Sequence, residues 1–87
     1  MESLDPGRTE TQNIILACVL SIPGELPRSG IAKLLAGSQS QRVAGYRTHP
    51  DYGRLAHLPR TILMQEIDAL INRGELGLDD KSRVILK

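Results

Sequence analysis

Apolar positions recur at helical spacing in three stretches of this chain and alternate with polar ones in a fourth. Ile15, Leu16, Val19, Leu20 and Ile22 follow Thr9, and Gln12, three residues after Thr9, completes the signature of a capping box. A first helix is predicted over about Glu10 to Ser21, stopped before Pro23-Gly24. Ile31, Leu34 and Leu35 form one face of a short second helix, with Ser29 as its predicted cap and Gly37 as its stop. Pro59 suits the first turn of a third helix, Arg60 to Arg73, closed by Gly74. Its apolar stripe is Leu63, Met64, Ile67, Leu70 and Ile71, and at about 100° per residue the opposite face presents Thr61, Gln65, Asp68 and Asn72.

The remaining segments are loop and hairpin. Leu76 and Leu78 alternate with polar neighbours, Asp79-Asp80 supplies a turn, and Arg83 to Leu86 returns as a second strand. Between the second and third helices, Gly45, Pro50 and Gly53 interrupt any period, which predicts a loop with a short helical turn tied to the core by Tyr46, Tyr52 and Leu55. Residues 1–8 contain Asp-Pro-Gly and no periodicity, so a flexible N-terminal arm is expected before a domain spanning 9–87. The order is helix, helix, irregular segment, helix, hairpin. That is a mainly α domain with a small β-hairpin, an α+β fold in the order of a winged helix, the helix-turn-helix variant that carries a C-terminal two-stranded wing.

Composition narrows the function classes. The chain has 87 residues, 40% of them hydrophobic, with two tyrosines and no phenylalanine or tryptophan, so its core must be aliphatic. One domain of this size lacks room for both a core and a deep substrate cleft, and it should act through its surface. Cys18 is the lone cysteine, and neither His49 nor His57 stands at metal-ligand spacing, so no metal or cofactor is expected and both histidines read as surface residues. Cys18 itself reads as a small buried hydrophobe. The longest apolar run falls short of the roughly 20 residues of a membrane span. A cytoplasmic protein is expected, nucleoid-associated if bacterial, monomeric, with no membrane partner.

Charge is unevenly distributed. Residues 1–27 carry four acidic side chains and one basic, net −3; residues 28–60 carry Arg28, Lys33, Arg42, Arg47, Arg54 and Arg60 against Asp51 alone, net +5; residues 61–87 come to −1. Read alone, the basic middle is either a solvated face or a place for a polyanion. No phosphate-binding glycine loop, dinucleotide fingerprint or zinc-hydrolase motif is present, and no Ser/His/Asp set is expected to assemble, so the chain is read as non-enzymatic.

The stretches "ILACVLSIPGELPRSGIAKLLAGSQSQRV" and "YGRLAHLPRTILMQEIDALINRGEL" resemble the RQC domain of RecQ-type DNA helicases, over about Ile14 to Leu76. The resemblance rests on an ordered set: an Ile/Leu-rich helix ending near a proline, Arg-Ser before a short Ala/Leu helix, Gly-Ser-x-Ser after it, and Tyr-Gly before the long helix. It implies a non-catalytic module binding duplex or forked DNA through phosphates, as an accessory to a helicase motor or as a standalone relative. It also implicates Arg28, Ser29, the segment from Ser38 and Ser40 to Arg42, Arg60, Lys81 and Arg83.

Physical chemistry gives those positions a rationale. Arg28 offers a fork of donors, and Lys33 extends the basic run. Ser38 and Ser40 are short donors suited to phosphate oxygens, closed by Arg42. Gln65, with Asn72, is placed to reach a base. Asp68, central on the same face and unaccompanied there by Arg or Lys, should repel phosphates, which favours recognition of DNA structure over sequence. The hairpin tip, Leu78-Asp79-Asp80-Lys81-Ser82, lacks the bulky residue with which relatives of that family part strands, so a passive contact is expected. The alternative is a winged-helix protein-interaction module, or a transcription regulator, whose basic middle meets an acidic partner.

Overall fold

The computed structural model describes residues 9–87, so the predicted arm at 1–8 lies outside the described residues. Helix α1 is Glu10–Ser21, α2 is Arg28–Ala36, a 3-10 turn covers Gln41–Tyr46, α3 is Arg60–Asn72, and strands β1, Leu76–Leu78, and β2, Val84–Leu86, pair as an antiparallel hairpin. In register Leu76 faces Leu86, Gly77 faces Ile85 and Leu78 faces Val84. The fold is mostly helical with one hairpin, as expected.

Local chemistry starts α1. The Gln12 backbone N–H donates to Thr9 Oγ1 at 3.1 Å, and the Thr9 N–H donates back to Gln12 Oε1 at 3.3 Å, closing the expected box. The same Gln12 amide is buried and reaches α3, donating to Glu66 Oε1 at 2.7 Å and accepting from the Arg73 guanidinium at 3.3 Å. One side chain therefore both starts α1 and ties it to α3. Thr9→Ala should cost about 1 kcal/mol, read as a lower urea midpoint with unchanged slope.

Two helix starts differ from expectation. Pro27, extended at φ −73 and ψ 176, is the residue that precedes α2, and its carbonyl accepts the Ile31 N–H at 3.0 Å. Ser29 therefore sits inside the first turn and caps nothing. The cause is long-range: Gly24 N–H donates to the Val84 carbonyl (2.9 Å), Val84 N–H donates to the Leu26 carbonyl (2.8 Å), and Pro27 bridges to Arg83. Pairing with β2 holds the chain extended up to Pro27, and the helix begins at the next residue. Pro59 likewise stands just outside α3 rather than in its first turn, extended at ψ 149. A proline-fixed φ presets each entry without a side-chain cap.

The core is aliphatic. Ile15, Val19 and Cys18 from α1, Ile31, Leu34 and Leu35 from α2, and Leu63, Ile67 and Leu70 from α3 are fully buried, and Leu76 and Val84 extend the cluster under the hairpin. Among packed pairs, α2 lies on α3, β1 on α3 and β2 on α1. The irregular segment is fastened to the end of α2: Gly53 N–H donates to the Leu34 carbonyl (2.8 Å) and Leu55 N–H to the Leu35 carbonyl (2.9 Å). Tyr52 Oη donates to the Ser38 carbonyl (2.6 Å), Tyr46 Oη donates to Glu25 Oε1 (2.8 Å), and Leu55 is buried, so all three predicted anchors hold the loop.

Candidate nucleic-acid interface

The implicated residues fall into two clusters at opposite ends of α2. Arg28 and Ser29, at its start, line a groove of about 200 Å³ with Pro27, Met64 of α3, and Leu78 and Ser82 of the hairpin. The bridge from Pro27 to Arg83 is what brings the hairpin to this spot. Ser38, Ser40 and Arg42 lie past the other end, nine helical residues or roughly 13 Å away. Lys33 is half-buried between them. Arg60 opens α3, exposed, and Gln65 is exposed on the same helix.

The segment after α2 is preorganised. Gly37 takes the left-handed conformation at φ 73, and Ser38 N–H donates to the Lys33 carbonyl (2.9 Å), which turns the chain out of the helix. Ser38 Oγ then accepts the Ser40 N–H at 3.1 Å, and Ser40 Oγ accepts the Arg42 N–H at 3.2 Å. Arg47 donates to the Gln39 carbonyl at 3.4 Å. Each serine oxygen thus accepts from backbone, which leaves its hydroxyl to donate. Two hydroxyl donors and the exposed Arg42 side chain are held on a fixed turn.

The hairpin tip is knotted by Asp79. Its carboxylate accepts the backbone N–H of both Arg83 and Lys81, each at 2.9 Å, and Ser82 adopts φ 64 to close the loop. The Arg83 N–H, joined by that of Lys81 and by both side-chain charges, holds the Asp79 carboxyl below the usual carboxylate range. Asp79-Asp80 was expected to supply this turn, and the Asp79 carboxylate does so, shaping the loop that presents Lys81 and Arg83, both exposed.

The centre of α3 also differs from the expectation. Arg28 Nη1 donates to Asp68 Oδ1 at 2.6 Å, with the two side chains 44% and 45% exposed. Asp68 is therefore not an uncompensated charge, and Arg28 is not a spare cation. By contrast Arg42, Arg60, Lys81 and Arg83 form no ion pair within the described residues.

A second constellation escaped the sequence reading. Ser21, His49 and Asp51 come together where the irregular segment crosses the end of α1: Ser21 Oγ lies 2.8 Å from His49 Nε2, and His49 Nδ1 lies 3.9 Å from Asp51 Oδ2. His49 is largely enclosed, so its expected place on the surface is corrected. The Asp51 backbone N–H donates to Nδ1 at 3.0 Å, which assigns the ring proton to Nε2 and makes the ring a donor to Ser21 Oγ. Ser21 Oγ in turn donates to the Cys18 carbonyl at 2.7 Å. That polarity is the reverse of the one that activates a serine, whose base must accept from the hydroxyl. Asp51, buried, is balanced by Arg54 at 3.0 Å. The cluster locks the loop to α1. Its only sequence signal was His49 two residues before Asp51.

Among the described residues no group of three or more His, Cys, Asp or Glu is placed to hold a metal ion, and no helix is long and apolar enough to cross a membrane. No family model and no curated protein matches the chain.

Proposed function

We propose that this chain is a winged-helix DNA-binding module of RQC type, which binds duplex or forked DNA through its phosphates, as an accessory to a RecQ-type helicase motor or as a standalone relative. The observation that carries the reading is the antiparallel bridge from Leu26 and Pro27 to Val84 and Arg83. It sets a third extended segment beside the hairpin and brings the hairpin against α2 and α3, an arrangement that fits a helix-turn-helix with a wing. Arg42, past the far end of α2, Arg60, at the start of α3, and Lys81 and Arg83, on the hairpin, are exposed and outside any ion pair within the described residues. Short hydroxyl donors on a fixed turn beside Arg42 suit phosphate oxygens, which carry shape and charge but no sequence.

Under this reading α3 offers little for base readout. Thr61, Gln65 and Asn72 are its exposed neutral donors, and no Arg or Lys accompanies them along the helix beyond Arg60 at its start. Affinity should therefore rest on backbone contacts. The test is fluorescence anisotropy with a labelled duplex and a labelled fork of equal length. Three phosphate contacts imply a loss of at least about tenfold in affinity from 50 to 150 mM salt. Arg42→Ala should weaken binding to every sequence alike and flatten the salt dependence by about one contact. Binding that ignores salt, or none at low salt, would overturn the proposal.

A further inference from the structure

Resting on that DNA-binding reading, the geometry points to Asp68 as an internal phosphate mimic: in the free protein its carboxylate occupies the place on the Arg28 guanidinium that a DNA phosphate takes in the complex. Three observations meet at this pair. The contact is short, 2.6 Å from Nη1 to Oδ1, and joins residues on different elements, α2 and α3. Both side chains are nearly half exposed, so the pair lies where a ligand reaches it. Arg28 also lines the groove between α3 and the hairpin with Ser29, Met64 and Ser82, which places this residue at the junction of α2, α3 and the hairpin.

A carboxylate and a phosphate offer the same thing to guanidinium, two oxygens in a plane matched to its fork of N–H groups. Arg28 is therefore held in place by Asp68 before DNA arrives, while the affinity it lends is offset by the cost of leaving that carboxylate. Binding becomes an exchange of anions at one arginine. The exchange also accounts for an acidic residue in the middle of a face that is meant to approach a polyanion: a bare Asp68 there would repel DNA, whereas a paired one sets a threshold. A lone phosphate passing Arg28 gains little from the exchange. Only a backbone that also engages Arg42, Arg60 or the hairpin recovers the cost, so the pair discriminates against short or poorly shaped contacts.

The experiment measures affinity and its salt dependence for the full chain and for Asp68→Asn, Arg28→Ala and the double variant, on one labelled duplex between 30 and 150 mM salt. Circular dichroism on each confirms that it is folded, and Asp68→Ala repeats the test with the oxygen removed as well as the charge. Asp68→Asn should tighten binding about two- to fivefold, the range an exposed ion pair spans, and steepen the slope of log affinity against log salt by about one contact. In the Arg28→Ala background the same substitution should give less than half of that gain in free energy, because the arginine to be released is gone. Equal tightening with and without Arg28 would reduce the effect to general charge and overturn the proposal, as would no tightening in a chain that binds DNA normally. Failure of every variant, the unaltered chain included, to bind at 30 mM salt would instead remove the DNA-binding reading and the exchange with it.

Discussion

Raising the pH from 8 to 10 should lower the stability of the folded chain by about 1.4 kcal/mol through one thiol, and Cys18→Ala should abolish that loss. Cys18 is fully buried on the inner face of α1. Burial, reinforced by the Asp51 carboxylate, pushes its thiol from 9.0 up to about 12. An unfolded chain releases this proton near pH 9, while the folded one keeps it until about pH 12. The folded state thus binds more protons across that window, and stability, complete below pH 9, falls as pH rises by up to about 1.4 kcal/mol per unit. By pH 11 the loss from this group alone approaches about 3 kcal/mol, a large share of what a domain of this size holds.

A second group acts in the same direction later. The Tyr46 hydroxyl is raised above its usual range, first by the hydrogen bond it donates to Glu25 and then by partial burial and the Glu25 charge, so it too favours unfolding, but above pH 10. The clean window is therefore pH 8 to 10. Urea melts across it should show a falling midpoint for the unaltered chain and a flat one for Cys18→Ala. The variant also loses a buried atom, at a cost of about 1 kcal/mol that is the same at every pH, so the slopes and not the levels are compared. Parallel slopes would mean that the buried thiol is not the group responsible.

What the sequence disclosed, and what it hid, divides along sequence separation. The Thr9 to Gln12 box, the stop at Gly37, the stripe of α3 and the strand at Leu76 to Leu78 are all set by neighbours within a turn or two, and each formed where the local pattern placed it, although burial does not alternate along that strand, Leu76 being buried and Leu78 exposed. Ser29 was misplaced because its position depends on β2, far along the chain, which pins Pro27 in an extended conformation. His49 was misread as a surface residue because its partner Ser21 lies 28 positions away. Arg28 and Asp68, 40 positions apart, were each assigned a charge and neither a partner. The basic residues of the candidate site were legible as charges. Whether a charge is spent on a neighbour or left for a ligand is a property of the packed state, and no one-dimensional pattern carries it.

The packing of the irregular segment supplies the second large effect. Gly37→Ala should cost about 2 kcal/mol, whereas Gly74→Ala should cost about 1 kcal/mol, although both glycines sit in the left-handed region. Gly37 has φ 73 and Gly74 has φ 83, so backbone strain alone would rank them equal. They differ in what a side chain would meet. A Cβ on Gly74 finds nothing within 4 Å, but one on Gly37 would stand 3.2 Å from the Gly53 Cα, backbone that is itself bonded to the Leu34 carbonyl at 2.8 Å. Gly53 cannot move away without stretching that bond and its neighbour from Leu55 to the Leu35 carbonyl. The crowding is therefore passed either to the end of α2 or to the turn that follows, where Ser38, Ser40 and Arg42 are held. That second route gives the variant a functional signature: Gly37→Ala should weaken duplex binding severalfold at temperatures where it remains folded, while Gly74→Ala, beside α3 and away from the turn, should bind as the unaltered chain does. Equal destabilisation of the two variants would show that the close approach of Gly37 to Gly53 yields freely. Unchanged DNA affinity in a destabilised Gly37→Ala would move the phosphate contacts away from the segment after α2, leaving Arg60 and the hairpin to make them.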